Sequence, residues 1–191
     1  MRFLLHILAM FAVALIVGFG LSYYALTDGR LVGALTVGPW AAWPQAGTKA
    51  PDPYTRAHMA RVGELQLGQS EGLQFIADRD SDGRPLDRTC TYRIAGNTPL
   101  ASFWTLTAET ADGLNVARLG TPISMQSNRI ARAQDGSIII NVGPALAPMN
   151  WLEITGTGPF SLVLTLYDVS ALGGAGSGIE TMPAVTREDC A

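Results

Sequence analysis

Between Phe3 and Leu21 nineteen consecutive positions carry no charge, and His6 is the one strongly polar side chain among them. As a helix this run is about 28 Å long, close to the roughly 30 Å of hydrocarbon in a bilayer. It claims the N-terminus for a membrane-spanning segment and leaves the rest of the chain to fold beyond it. Arg2 on one flank favours an N-terminus inside, and Tyr23 and Tyr24 fall where interfacial aromatics are favoured. A cleaved signal peptide is the competing reading. Its apolar region would be unusually long, however, and Gly18/Gly20 make a poor cleavage site. The expectation is a single-pass protein of a bacterial inner membrane. Residues 3–21 sit in the bilayer, with the N-terminus cytoplasmic and the C-terminal domain periplasmic.

The remaining length suits one domain plus appendages, since the whole chain has 191 residues. Residues 1–25 are assigned to the anchor, 26–50 to an extended linker and first-strand region, and 51–191 to the folded domain. A net charge of −3 supplies no basic footprint for nucleic acid. Cys90 and Cys190 are the whole cysteine inventory, an even number in an exported domain, and they predict a structural disulfide. Neither has a CxxC partner or a nearby His, which argues against a metal site or a catalytic thiol.

Within the domain, Asp52 has the chemistry of a helix cap and Pro53 suits the first helical position, so a helix is expected up to Gly63–Leu65. Tyr54, Ala57, Val62 and Leu65 fall near one face of it and are expected to pack on the sheet. From there the apolar period becomes two. Leu73–Ala77, Cys90–Ile94, Ser102–Thr107, Ser137–Val142, Trp151–Ile154 and Phe160–Tyr167 read as strands separated by Gly, Asp, Asn and Pro. A further short strand is expected near Leu35–Val37. The predicted fold is mainly β: an antiparallel sandwich of the jelly-roll kind with one short N-terminal helix, preceded by a transmembrane helix. Leu172–Gly178, with its run of glycines, is expected to be a loop before the tail returns to Cys190.

Motifs that carry chemistry are sparse. Asp78–Gly83 spells the D-x-D-x-D-G opening of a calcium loop, but Thr89 stands where the twelfth-position Glu belongs. It reads better as a turn between strands, and no metal or other cofactor is expected. His58 is the one imidazole beyond the anchor, and no serine lies in a G-x-S-x-G elbow. The sixteen acids are scattered mostly in turns, so no glycosidase-like pair stands out. An enzyme is therefore the weaker reading. Trp104, Phe160 and Tyr92 lie in strong strand patterns and are expected in the core, whereas Trp40, Trp43 and Trp151 are left open between core and site.

Taken in order, "GPWAAWPQAG", "DPYTRAH", "DSDGRPLDRTCTYRI", "FWTLTAE", "DGSIIINVGP", "NWL" and "FSLVLTLYD" resemble the domain of unknown function 1214 family from about Gly38 to Cys190. The resemblance implies a jelly-roll-like β-sandwich, often joined to a domain of unknown function 1254 or encoded as a short membrane-anchored protein beside one. It carries no agreed activity. Tyr54, Arg56, Trp104, Asn150 and Trp151 match recurring motif positions and are the candidate ligand-binding residues. Many members have Arg two residues before the Tyr of the last matched strand, where this chain has Thr165. The functional expectation is a non-enzymatic binding or accessory protein of the envelope; a carbohydrate-active enzyme or lectin acting on envelope polysaccharide is the alternative. Alkaline phosphatase fused after Gln45 is expected to be active in the periplasm, and an inactive fusion would reverse the topology.

Overall fold

The computed structural model describes residues 2–28, 30, 33–63, 67, 71–168 and 181–190. Leu65 and the Leu172–Gly178 segment lie outside the described residues. Among the described residues strand outweighs helix, 36% against 21%.

The chain opens with α1, Arg2–Asp28, whose 27 residues form one helix. Its apolar side chains are exposed along its length, and it is long and apolar enough to cross a membrane. The one polar group in its apolar run is partnered locally, His6 Nδ1 lying 2.6 Å from the Arg2 carbonyl. The second helix, α2, spans Pro53–Val62. Asp52 caps it, accepting hydrogen bonds from the amides of Tyr54 and Thr55 at 3.0 Å each. Gly63 ends it in the left-handed conformation at φ 73°, where glycine meets no Cβ penalty. The face expected from spacing is corrected at Tyr54, which is 47% exposed. Thr55 is the fully buried residue, while His58 stacks on Trp43 with ring centroids 4.6 Å apart.

Ten strands follow in two sheets. The first sheet holds β1 (Leu35–Val37), β2 (Trp40–Ala42), β3 (Gly72–Ala77), β5 (Phe103–Glu109), β6 (Ser124–Gln126) and β9 (Ser161–Tyr167). Its order is β1-β2-β3-β9-β5-β6, antiparallel throughout. The second holds β4 (Cys90–Gly96), β7 (Ile138–Gly143), β8 (Asn150–Glu153) and β10 (Ala184–Cys190), in the order β10-β4-β7-β8. Alternation puts Trp104, Leu106 and Ala108 of β5 into the core together with Leu162, Leu164 and Leu166 of β9. Tyr92 and Ile94 of β4, with Ile138, Ile140 and Val142 of β7, join them in the same core. All six strands expected from period two are present, shifted by a residue or two at their ends.

Two features go beyond the architecture expected from the strand pattern. The stretch between α1 and α2 contributes β1 and β2 to the first sheet, and Trp40, Ala41, Ala42 and Trp43 are all buried. The second is that β8 pairs with β7 in parallel, Ile140 facing Asn150 and Val142 facing Leu152. Parallel neighbours ordinarily need a crossover of a dozen or more residues; here the chain returns between Gly143 and Asn150. Three side-chain bonds hold this short return: Trp151 Nε1 donates to the Gly143 carbonyl (3.1 Å), Asn141 Nδ2 to that of Pro148 (3.0 Å), and Asn150 Nδ2 to that of Ile139 (2.8 Å). Met149, at φ 66°, makes the turn into β8.

The cysteines sit directly opposite one another, Cys90 of β4 against Cys190 of β10, and form the expected disulfide. The acid-rich Asp78–Gly83 segment is a turn whose carboxylates face arginines: Asp78 pairs with Arg30, Asp82 with Arg84, and buried Asp80 with both Arg84 and Arg187. Close packing is tightest at Gly72, where a Cβ would overlap the backbone carbonyl of Leu166 on β9. Gly72→Ala is expected to lower stability by about 1–3 kcal/mol, read as a reduced urea midpoint with an unchanged slope.

Candidate functional site

One end of the sandwich is open. The β4–β5 connection, the residues after β6 and the turn before β7 border a cavity of about 570 Å³ that Trp104 lines from the first strand layer. Each wall follows from local chemistry. Asn97–Ser102 leaves β4 through Pro99 and crosses to the other sheet. Ser127 continues β6: its hydroxyl accepts from the Trp104 amide at 3.2 Å, and its own amide donates to the Trp104 carbonyl at 3.0 Å. The third wall is a tight turn over Ala133–Gly136, closed by the Gly136 amide on the Ala133 carbonyl, with Gly136 at φ 82° as that turn requires.

That third wall brings in the charges. Arg132 lies over the Trp104 ring, 6.0 Å from its centroid, and donates from Nη1 to the Gly136 carbonyl at 3.2 Å. No carboxylate among the described residues forms an ion pair with it, so most of its donor capacity is unspent. Asp135 accepts from the Ser137 hydroxyl (2.7 Å) and amide (3.0 Å). These bonds, the hydroxyl first, hold its carboxyl below its ordinary value and keep it ionised at neutral pH. Beneath them Trp104 is only 2% exposed, and its Nε1–H has no hydrogen-bond partner among the described residues.

The five residues expected to form a site do not share one. Trp104 is at the cavity. Tyr54 and Arg56 are exposed on α2. Asn150 and Trp151 belong to the β7–β8 return, and their polar groups are spent on backbone. Buried Asn150 accepts from the Ala131 amide and donates to the Ala131 carbonyl, each at 2.8 Å. It thereby braces the residue preceding Arg132, a positioning role. Arg132, Asp135 and Ser127 were missed by sequence reasoning because they sit in turns without a motif. The one available signal was the Asp-Gly-Ser turn at 135–137, which is common.

Fold and cavity together define a disulfide-linked β-sandwich with a polar end cavity behind an N-terminal apolar helix. The model of the family Protein of unknown function (DUF1214) matches residues 71–171, and the chain belongs to that family. The match runs from the start of β3 past β9; Trp104, Arg132, Asn150 and Trp151 lie inside it, and Tyr54 and Arg56 outside. No curated protein matches the chain. A crystal structure of a Vibrio parahaemolyticus protein is similar, with a TM-score of 0.56 and 22% identity, covering 74% of this chain and 36% of that one. At that identity the likeness is one of fold, and this chain spans about a third of the Vibrio protein's length. A structure of an uncharacterised protein from Burkholderia cenocepacia aligns with a TM-score of 0.47 and 14% identity, covering 93% of this chain and 52% of that one.

Asn150→Ala would remove three part-buried hydrogen bonds, those to the Ala131 amide, the Ala131 carbonyl and the Ile139 carbonyl. Ala131 is exposed and Ile139 half-buried, so water replaces part of what is lost, and a net cost of about 0.5–1.5 kcal/mol per bond is expected. Thermal unfolding measures it, and Asn150→Asp is expected to recover only the bond from the Ala131 amide.

Proposed function

We propose that this chain is a non-enzymatic binding protein of the bacterial envelope, held in the inner membrane by α1 with its sandwich in the periplasm. The end cavity would take an acceptor-bearing group of a ligand or partner protein. The observation that carries this reading is the charge set of the cavity among the described residues: one guanidinium, Arg132, that forms no ion pair with any of them, and one carboxylate, Asp135. Glycoside cleavage requires a carboxylic acid and a second carboxylate about 5–9.5 Å apart. Among the described residues Asp135 is the one carboxylate lining the cavity, and its hydrogen bonds favour the ionised form rather than the acid; a second carboxylate, Asp168, accepts from the lining Ser102 hydroxyl at 2.8 Å. Binding demands less, and an arginine with free donors beside hydroxyl and amide side chains suits it. The disulfide fits an oxidising compartment.

The partner we favour is a neighbouring membrane protein carrying a domain of unknown function 1254. The Vibrio protein is nearly three times the length matched here, which supports a division in which a second chain supplies what a longer relative carries in one. The second reading, a lectin for envelope polysaccharide, is favoured by Ser102, Ser127 and Asn128 along the wall. Full-length protein, solubilised in detergent, is expected to retain such a neighbour on an affinity column. Arg132→Ala should weaken the interaction about tenfold, equivalent to roughly 1.4 kcal/mol. Failure to retain the neighbour, with retention of envelope polysaccharide instead, would replace the first reading by the second.

A further inference from the structure

Charge is divided unevenly along the chain. Residues 29–63 hold four basic residues and one acidic one, whereas residues 64–191 hold eight basic and fourteen acidic. The single acid of the first group, Asp52, is occupied as the cap of α2: it accepts from two amides and from the Thr55 hydroxyl. Of the four cations, Arg30 is paired with Asp78. Lys49, Arg56 and Arg61 form no ion pair among the described residues.

The fold puts one of these cations, Arg61, beside the apolar helix, whose own last residue is Asp28. α2 packs against α1, and the Arg61 guanidinium lies over the Tyr23 ring, 5.8 Å from its centroid. Tyr23 follows Leu21, the last residue of the apolar run, by two positions, which is where a spanning helix leaves hydrocarbon for headgroups. Arg61 is thus carried at headgroup depth. The inward side of α2 buries Thr55 and is fastened to the sandwich by His58 stacked on Trp43. Its outward side presents Pro53, Tyr54, Arg56, Ala60 and Arg61, all exposed and none acidic. Such a face is too poor in large apolar groups to insert, but its charge complements an anionic surface.

We propose that α2 docks on anionic phospholipid headgroups, with Arg56 and Arg61 as the principal contacts, and so fixes the sandwich against the bilayer. This rests on the reading of α1 as a membrane anchor. A basic residue close to an anionic surface contributes about fivefold in affinity, so two should produce an effect well above measurement error.

The test uses the full-length chain reconstituted in vesicles of phosphatidylcholine alone or of phosphatidylcholine with one third phosphatidylglycerol, and reads hydrogen exchange of the α2 amides. Exchange across residues 56–62 is expected to be at least fivefold slower in the anionic vesicles. The difference should vanish for the double variant Arg56→Gln/Arg61→Gln, and in about 1 M salt, where the screening length falls to ~3 Å. Unchanged exchange in β5 and β9 shows that the variant is folded. Equal α2 exchange in the two lipids overturns the proposal. Alkaline carbonate extraction separates that failure from loss of its premise: a chain released by carbonate refutes the anchor and the docking together, whereas a retained chain with indifferent α2 refutes the docking alone.

Discussion

The pairing of β10 with β4 is the interaction on which the rest of the sandwich depends, because it returns the end of the chain to its middle. At one end of the pair the Cys90–Cys190 disulfide joins residues separated by 100 positions. A loop of that size corresponds to about 4.7 kcal/mol in the chain-entropy account. At the other end, just before β10, Trp40 of β2 donates from its indole to the Pro183 carbonyl at 2.7 Å, linking the first sheet to the last strand. Between them Arg187 reaches buried Asp80 and lies over the Tyr92 ring, 5.4 Å from its centroid. The Asp80 carboxylate is 1% exposed and would be costly alone. With two guanidinium partners and the amides of Asp82 and Arg84, its charge is matched. The acidic turn is therefore a clasp for β10.

A sandwich closed in this way leaves its ends to the connections, and the end cavity is made from them. Its rigidity comes from elements that carry no ligand chemistry. Asn150 holds Ala131, the short β7–β8 return holds Asn150, and Arg132 is placed over Trp104 as a consequence. The "NWL" motif thus braces Ala131, while the "DGS" turn contributes Asp135 and Gly136 to the cavity wall. Among the described residues the cavity is lined by one cation, one anion and neutral polar groups.

Much of the fold was legible because the strongest strands obey a simple rule. In β5 every second residue is buried, and β4 and β7 follow nearly the same alternation. The strands that escaped reading break it. β2 is three residues long and buried at all of them, so it shows no period. β6 is equally short and half-buried throughout. β10 reads Ala-Val-Thr-Arg-Glu-Asp-Cys, with Val185 its one fully buried residue, and it is a strand because the disulfide and β4 hold it there. Tyr54 misled for a related reason. A short helix with few apolar residues does not declare its inner face, and the buried Thr55 gives no hydrophobic signal.

What the sequence determined by itself was location in the chain and local habit. The uncharged run at the N-terminus dictates a long helix, Asp52 and Gly63 bound α2, alternation marks the central strands, and an even pair of cysteines predicts a bond. These depend on interactions within a few residues or on bulk transfer energies, and such terms can be read in one dimension. The tertiary structure alone decided the parallel return of β8, the clasping of β10 by Asp80 and Arg187, and the meeting of Trp104, Arg132 and Asp135. Each joins residues that are distant in sequence, or in turns that carry no pattern. Their energies come from burial and geometry that exist only once the two sheets have closed on one another.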